Sequence, residues 1–125
     1  MPMLQQLIAT PSISSVNPAL DQRNRAVIEL LAGWLEDLDF TVDIMPLKDP
    51  RKANLIATLG SGPGGLVLAG HTDTVPCDEA RWTHNPFKLL EKDQRIYGLG
   101  TCDMKGFFPL IIEAARQFSR QTLQQ

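Results

Sequence analysis

His71 and Asp73 stand two residues apart in the run GHTDTVP at 70–76, directly after the apolar stretch Leu66 to Ala69. Side chains two apart at the end of a strand project to the same side. The pair can therefore sit together at the carboxyl edge of a sheet, where open α/β folds collect their ligands. A neutral imidazole is a good zinc ligand, and a neighbouring carboxylate can fix its tautomer and raise its basicity. Taken alone, such a pair is more commonly a hydrogen-bonded surface pair than a metal site. A second segment shifts that balance. Asp103 lies inside GLGTCDMKG at 98–106, where the glycines permit tight turns and close approach of backbone to a site. Seen in isolation, an acidic residue shortly before a helix would serve equally well as an N-cap.

The remaining reactive residues read more plainly. GSGPGG at 60–65 lacks the Lys-Ser or Lys-Thr that would make it a phosphate loop. His84 is expected to be a loop histidine near enough to the cleft to meet a substrate. Cys102 adjoins Asp103, and Lys105 is expected to be buried or to pair with nearby carboxylates. Cys77 and Cys102 are the only cysteines; their wide spacing is neither a metal ribbon nor a disulfide framework, so free thiols are expected.

These residues need a scaffold. Asn17-Pro18 is a helix-opening pair, and Leu20, Val27, Leu31, Trp34, Leu35 and Leu38 recur on one face of a helix expected to run to about Leu38. Asp39 follows it, where a left-handed residue would end the helix. Phe40, Val42 and Ile44 alternate with polar neighbours, predicting a half-covered strand, and Asn54 to Leu59 predicts a second. Leu66 to Ala69 is continuously apolar and predicts a central strand buried on both faces. Phe87 to Leu90 and Arg95 to Tyr97 are expected to pair as a hairpin. A last helix should start near Phe107, with Pro109 tolerated in its first turn, and should bury Phe107, Ile111, Ala114, Ala115 and Phe118. The pattern predicts an α/β layer with mixed strand directions.

The 125 residues carry 12 basic and 14 acidic side chains, a net charge of -2, with neither sign gathered into a block. Nucleic acid and anionic lipid are therefore not expected as partners. Apolar runs fall far short of the roughly 18 residues that indicate a membrane span. Met1 to Thr10 has no basic leader, and a cytoplasmic protein is expected.

GHTDTVP, RWTHNPF at 81–87 and YGLGTCDMKGFF at 97–108, in that order and spacing, resemble the zinc-dependent peptidase and deacylase family that includes aminoacylase and succinyl-diaminopimelate desuccinylase. LIATPSIS at 7–14, ALDQRN at 19–24 and the LGTCDMKGFF variant set the chain apart from the desuccinylase within that family. The resemblance implies an α/β catalytic domain with a mixed central sheet flanked by helices. It implies two zinc ions, with cobalt able to substitute, acting on a small-molecule N-acyl amino acid. His71 would bind one zinc, Asp103 would bridge both, and Asp73 would orient the histidine.

The same resemblance calls for an adjacent Glu-Glu pair, one of them the general base, a further carboxylate and a distant histidine. After Asp103 the only acidic residue is Glu113. Residues 1–125 are accordingly expected to be part of a catalytic domain, with two of five protein ligands and no activity by themselves. The family commonly dimerises through an inserted domain, so the parent is expected to be a homodimer whose dimerisation domain lies outside this sequence.

Overall fold

The computed structural model describes residues 1–118. Helix α1, Pro2–Ala9, was not anticipated from the sequence. Pro2 occupies the first turn, where its missing N–H is no loss, and Leu4, Leu7 and Ile8 are buried at helical spacing. Pro11 ends it, since the residue before a proline is pushed toward extended backbone; Thr10 adopts φ -105 and ψ 96.

Helix α2 spans Arg25–Glu36, not the longer stretch from Pro18. Asn17 does open a turn, accepting from the N–H of Ala19 through Oδ1. That turn stops because tertiary hydrogen bonds claim the chain beyond it. The N–H of Gln22 donates to the Ile13 carbonyl at 2.7 Å, and the N–H of Ile13 donates to Oε1 of Gln22. Asp21 meanwhile accepts from the Ser15 N–H and from Nζ of Lys52. Leu20, expected on the apolar stripe, is left half exposed outside the helix. At the other end the expected left-handed residue is present: Asp39 has φ 64, and the Phe40 N–H returns to the Leu35 carbonyl.

Strands β1, Thr41–Pro46, and β2, Ala53–Thr58, pair antiparallel in a register that sets Thr41 opposite Thr58 and Pro46 opposite Ala53. Val42 and Ile44 are half-buried while Thr41, Asp43 and Met45 are exposed, the alternation their residue types predict. Strands β3, Leu90–Lys92, and β4, Arg95–Tyr97, form a hairpin with the expected second arm, its first arm displaced toward the turn from the expected Phe87 to Leu90. Asp93 and Gln94 both have positive φ, 51 and 57, the twist-matched geometry of a two-residue hairpin turn.

Leu66 to Ala69 departs from expectation. It is not a buried strand: Leu66 is 84% exposed and Val67 88%. A strand forms only when a neighbour takes its backbone hydrogen bonds. Among the described residues, β2 pairs only with β1, and no strand lies against 66–69. The one parallel contact nearby is the isolated bridge from Ile13 to Thr74.

Helix α3, Phe107–Phe118, begins where expected, but its buried face is rotated. Phe108 and Ile112 are fully buried, Phe107 and Ile111 flank them, and Phe118 is exposed. The rotation follows from the partners: Phe108 and Ile112 pack with Leu7 of α1 and with Val27 and Leu31 of α2. Leu55 of β2 and Trp34, Leu35 and Leu38 close the edges of this core. Helices and strands are thus mixed along the chain, as the α/β class requires.

Candidate metal centre

Two loops carry the residues singled out in the sequence. The first, 70–76, is held by the extension that follows α1. Oγ of Ser12 donates to the Thr72 carbonyl at 2.6 Å. The Thr74 N–H donates to the Ser12 carbonyl, and the Ser14 N–H donates to the Thr74 carbonyl. Asn24 reaches the same loop from the start of α2, its Nδ2 3.3 Å from Oγ1 of Thr72. Thr72 and Thr74 therefore point inward and are buried, while His71 and Asp73 face outward. This is the two-residue alternation expected of extended backbone.

The second loop, 98–106, is a series of tight turns. Oγ1 and the N–H of Thr101 both donate to the Gly98 carbonyl, and the Gly106 N–H donates to the Gly100 carbonyl. Two of its glycines are demanded by space. Gly100 has φ 89, and a Cβ there would lie 2.9 Å from Cγ2 of Thr74; a Cβ on Gly106 would collide with the Thr101 carbonyl oxygen. The peptide between Asp103 and Met104 is cis.

These loops bring all three expected residues together. Nε2 of His71 lies 2.9 Å from Oδ1 of Asp103. On the other side of the ring, Nδ1 lies 3.1 Å from the Asp73 carbonyl oxygen and 3.3 Å from Oδ1 of Asp73. His71 and Asp73 side chains are each 49% exposed, and Asp103 is 82% exposed, so a solute can reach them. An open cleft of about 260 Å³ is lined by His71, Asp73, Trp82, Cys102 and Asp103 among others.

The donor set fits a cation. Both ring nitrogens of His71 face acceptors, the Asp73 carbonyl and carboxylate on the Nδ1 side and the Asp103 carboxylate on the Nε2 side. A neutral imidazole has one N–H to give, so satisfying both sides calls for a second proton on the ring or for a cation in its place. Desolvation pulls the imidazole pKa down, but the Asp73 carbonyl and the two carboxylates outweigh it and hold the pKa above the ordinary value. Among the described residues, no group of three or more His, Cys, Asp or Glu side chains could hold a metal ion. His71 and Asp103 supply two ligands at most.

The other reactive residues take these places. Lys105 is buried, at 1% exposure, and among the described residues its Nζ donates not to a carboxylate but to the carbonyls of Leu7 and Thr10, at 3.0 and 2.7 Å. His84 packs edge-on between Trp82 and Tyr97, with both ring nitrogens buried and no hydrogen-bond partner among the described residues. Cys77 and Cys102 are free thiols. Trp82 as a wall of the cleft and Ser12 and Asn24 as supports were not identified from the sequence. Their only signal was membership of the conspicuous segments RWTHNPF, LIATPSIS and ALDQRN.

Residues 67–125 match the model of peptidase family M20/M25/M40. Curated relatives give the match more detail. Acetylornithine deacetylase of Proteus mirabilis (strain HI4320) is 58% identical over 97% of this chain. The acetylornithine deacetylase of Pasteurella multocida (strain Pm70) is 59% identical over 92%. The chain spans about a third of these relatives' length, 32% and 30%. The crystal structure of human carnosine dipeptidase 1 superposes with a TM-score of 0.80 at 26% identity, covering 94% of this chain and 27% of that one. The expected fold class is borne out by that likeness. No helix among the described residues is long and apolar enough to cross a membrane.

Proposed function

We propose that this sequence supplies part of an acetylornithine deacetylase, hydrolysing the amide of N2-acetyl-L-ornithine to L-ornithine and acetate in the cytoplasm as a step of arginine biosynthesis. The observation that carries the reading is identity of 58–59% over nearly the whole chain to relatives of that name, in a family of peptidases.

His71 and Asp103 would hold metal, zinc by preference given the imidazole and carboxylate donors, with cobalt able to replace it. A metal pair supplies Lewis-acid polarisation of the amide carbonyl and lowers the pKa of a bound water. The chain's own residues prepare for this. Asp73, beside Nδ1, would favour the His71 proton there and so leave Nε2 to coordinate. Asp103, with a second carboxylate oxygen left over, can reach a second ion. Trp82 walls the cleft in which a small N-acyl amino acid would lie. The general base and remaining ligands belong to the further length that the relatives possess, and the 125-residue chain alone is expected to be inactive. The parent is expected to be a homodimer.

The test is hydrolysis of N2-acetyl-L-ornithine by the parent protein loaded with zinc, compared with N-succinyl-diaminopimelate and with β-alanyl-histidine. The structural likeness to a carnosine dipeptidase makes the dipeptide the informative competitor. Preference for acetylornithine by at least about tenfold in kcat/KM is expected. Preference for the dipeptide would replace this reading with a dipeptidase, and no turnover of any of the three would end it.

A further inference from the structure

Lys105 is the largest side chain in the fully buried core, and it faces no counter-charge. Its ammonium donates to two carbonyls at the end of α1, that of Leu7, which also accepts from the Thr10 N–H, and that of Thr10. Burial pushes its pKa down to about 8. Such a group is costly to bury and must be held by geometry. Its stem runs beneath Gly100, where an added Cβ would meet both Lys105 and Cγ2 of Thr74. Lys105 thus ties the loop carrying Asp103 to the end of α1. A few residues further on, Ser12 and Ser14 tie the loop carrying His71 to the same segment.

We propose that residues 7–14 form a bracket that sets the separation of His71 and Asp103, with Lys105 as the positioning residue for Asp103. The bracket rests on the reading of His71 and Asp103 as a metal-binding pair. Lys105 touches neither a substrate nor the pair itself. It acts through the backbone of 103–106, whereas Ser12 acts through Thr72, the neighbour of both His71 and Asp73.

The experiment uses the full chain and two readouts. The ring 15N resonances of His71 report its contact with Asp103 without any metal, and are identified by comparison with His84→Gln, which removes the only other histidine. Calorimetry with Co2+ reports the site's affinity. Lys105→Met keeps the stem and removes the donor; it is expected to move the His71 resonances and weaken Co2+ binding by about tenfold, as loss of a group supporting a metal ligand does. Lys105→Arg, which can still donate to both carbonyls, should restore affinity to within about threefold. Should Lys105→Met fail to fold, Ser12→Ala decides the matter, because it releases the other arm of the bracket and should move the same resonances. Folded variants with wild-type resonances and wild-type Co2+ affinity would overturn the proposal. If the wild-type chain binds no Co2+ yet the variants still move the His71 resonances, the bracket stands and the metal reading of this chain falls.

Discussion

Asn24 and Ala53 exchange two hydrogen bonds, Nδ2 donating to the Ala53 carbonyl at 2.9 Å and the Ala53 N–H donating to Oδ1 at 3.0 Å. A single side-chain amide thereby completes the backbone of the first residue of β2, which is 1% exposed. Asn24 also stands at the entry to α2 without capping it. Its side chain is spent on the strand and on Thr72. Asn24→Ala would leave a buried N–H and C=O unpaired, and a stability loss of about 1–3 kcal/mol is expected by urea unfolding. A loss below about 0.5 kcal/mol would show that water replaces the amide.

Gly33 and Gly106 stand in opposite surroundings, and substitution separates them. Gly33, inside α2, has nothing within 4 Å of where a Cβ would be. Gly33→Ala should stabilise the protein by about 0.5–1 kcal/mol, the intrinsic helix preference. Gly106→Ala must displace the Thr101 carbonyl and should cost about 2 kcal/mol or more. Thermal melts of the two variants in parallel should shift in opposite directions.

Asp21 contributes acid sensitivity to the N-terminal half. Hydrogen bonds from Lys52 and from the Ser15 N–H, with Lys52 the larger influence, hold its carboxyl below its ordinary value of 3.8. A depressed folded pKa means stability that is fully present above the unfolded value and lost as pH falls through the folded one. Asp21→Asn should therefore be less stable than wild type by a constant margin above about pH 5. The margin should close as pH drops below 3.8. Chemical denaturation between pH 2 and 6 checks this; a margin that persists at pH 2 would assign the effect to packing.

The two tryptophans divide between cleft and core, Trp82 lining the site and Trp34 packing on the helices. Co2+ bound near His71 should quench Trp82 emission, so titration of Trp34→Phe should show quenching and titration of Trp82→Phe should show little. Equal quenching in both would place the ion elsewhere.

Sequence alone singled out His71, Asp73 and Asp103 because each sits in a short run whose residue types mark it without reference to the rest of the chain. The same is true of Asp39, where helix termination is a local matter of φ. It failed where the outcome depends on distant partners. The stretch at 66–69 has the composition of a central strand, yet no described neighbour pairs with it. Helix α2 starts late because Gln22 and Asp21 find Ile13, Ser15 and Lys52, which no periodicity reveals. Lys105 was expected to be buried or to pair with carboxylates; it is buried, and it meets carbonyls because the end of α1 arrives there and α1 itself had gone unread.

The buried ammonium of Lys105 also makes the molecule its own recorder of opening. Lys48, Lys88 and Lys92 are exposed and Lys52 partly so, and all four would take up an amine-acylating reagent from the folded state. Lys105 can be labelled only when the loop at 98–106 parts from the end of α1. The mass tag it accumulates over time would therefore count how often the two halves of the cleft come apart.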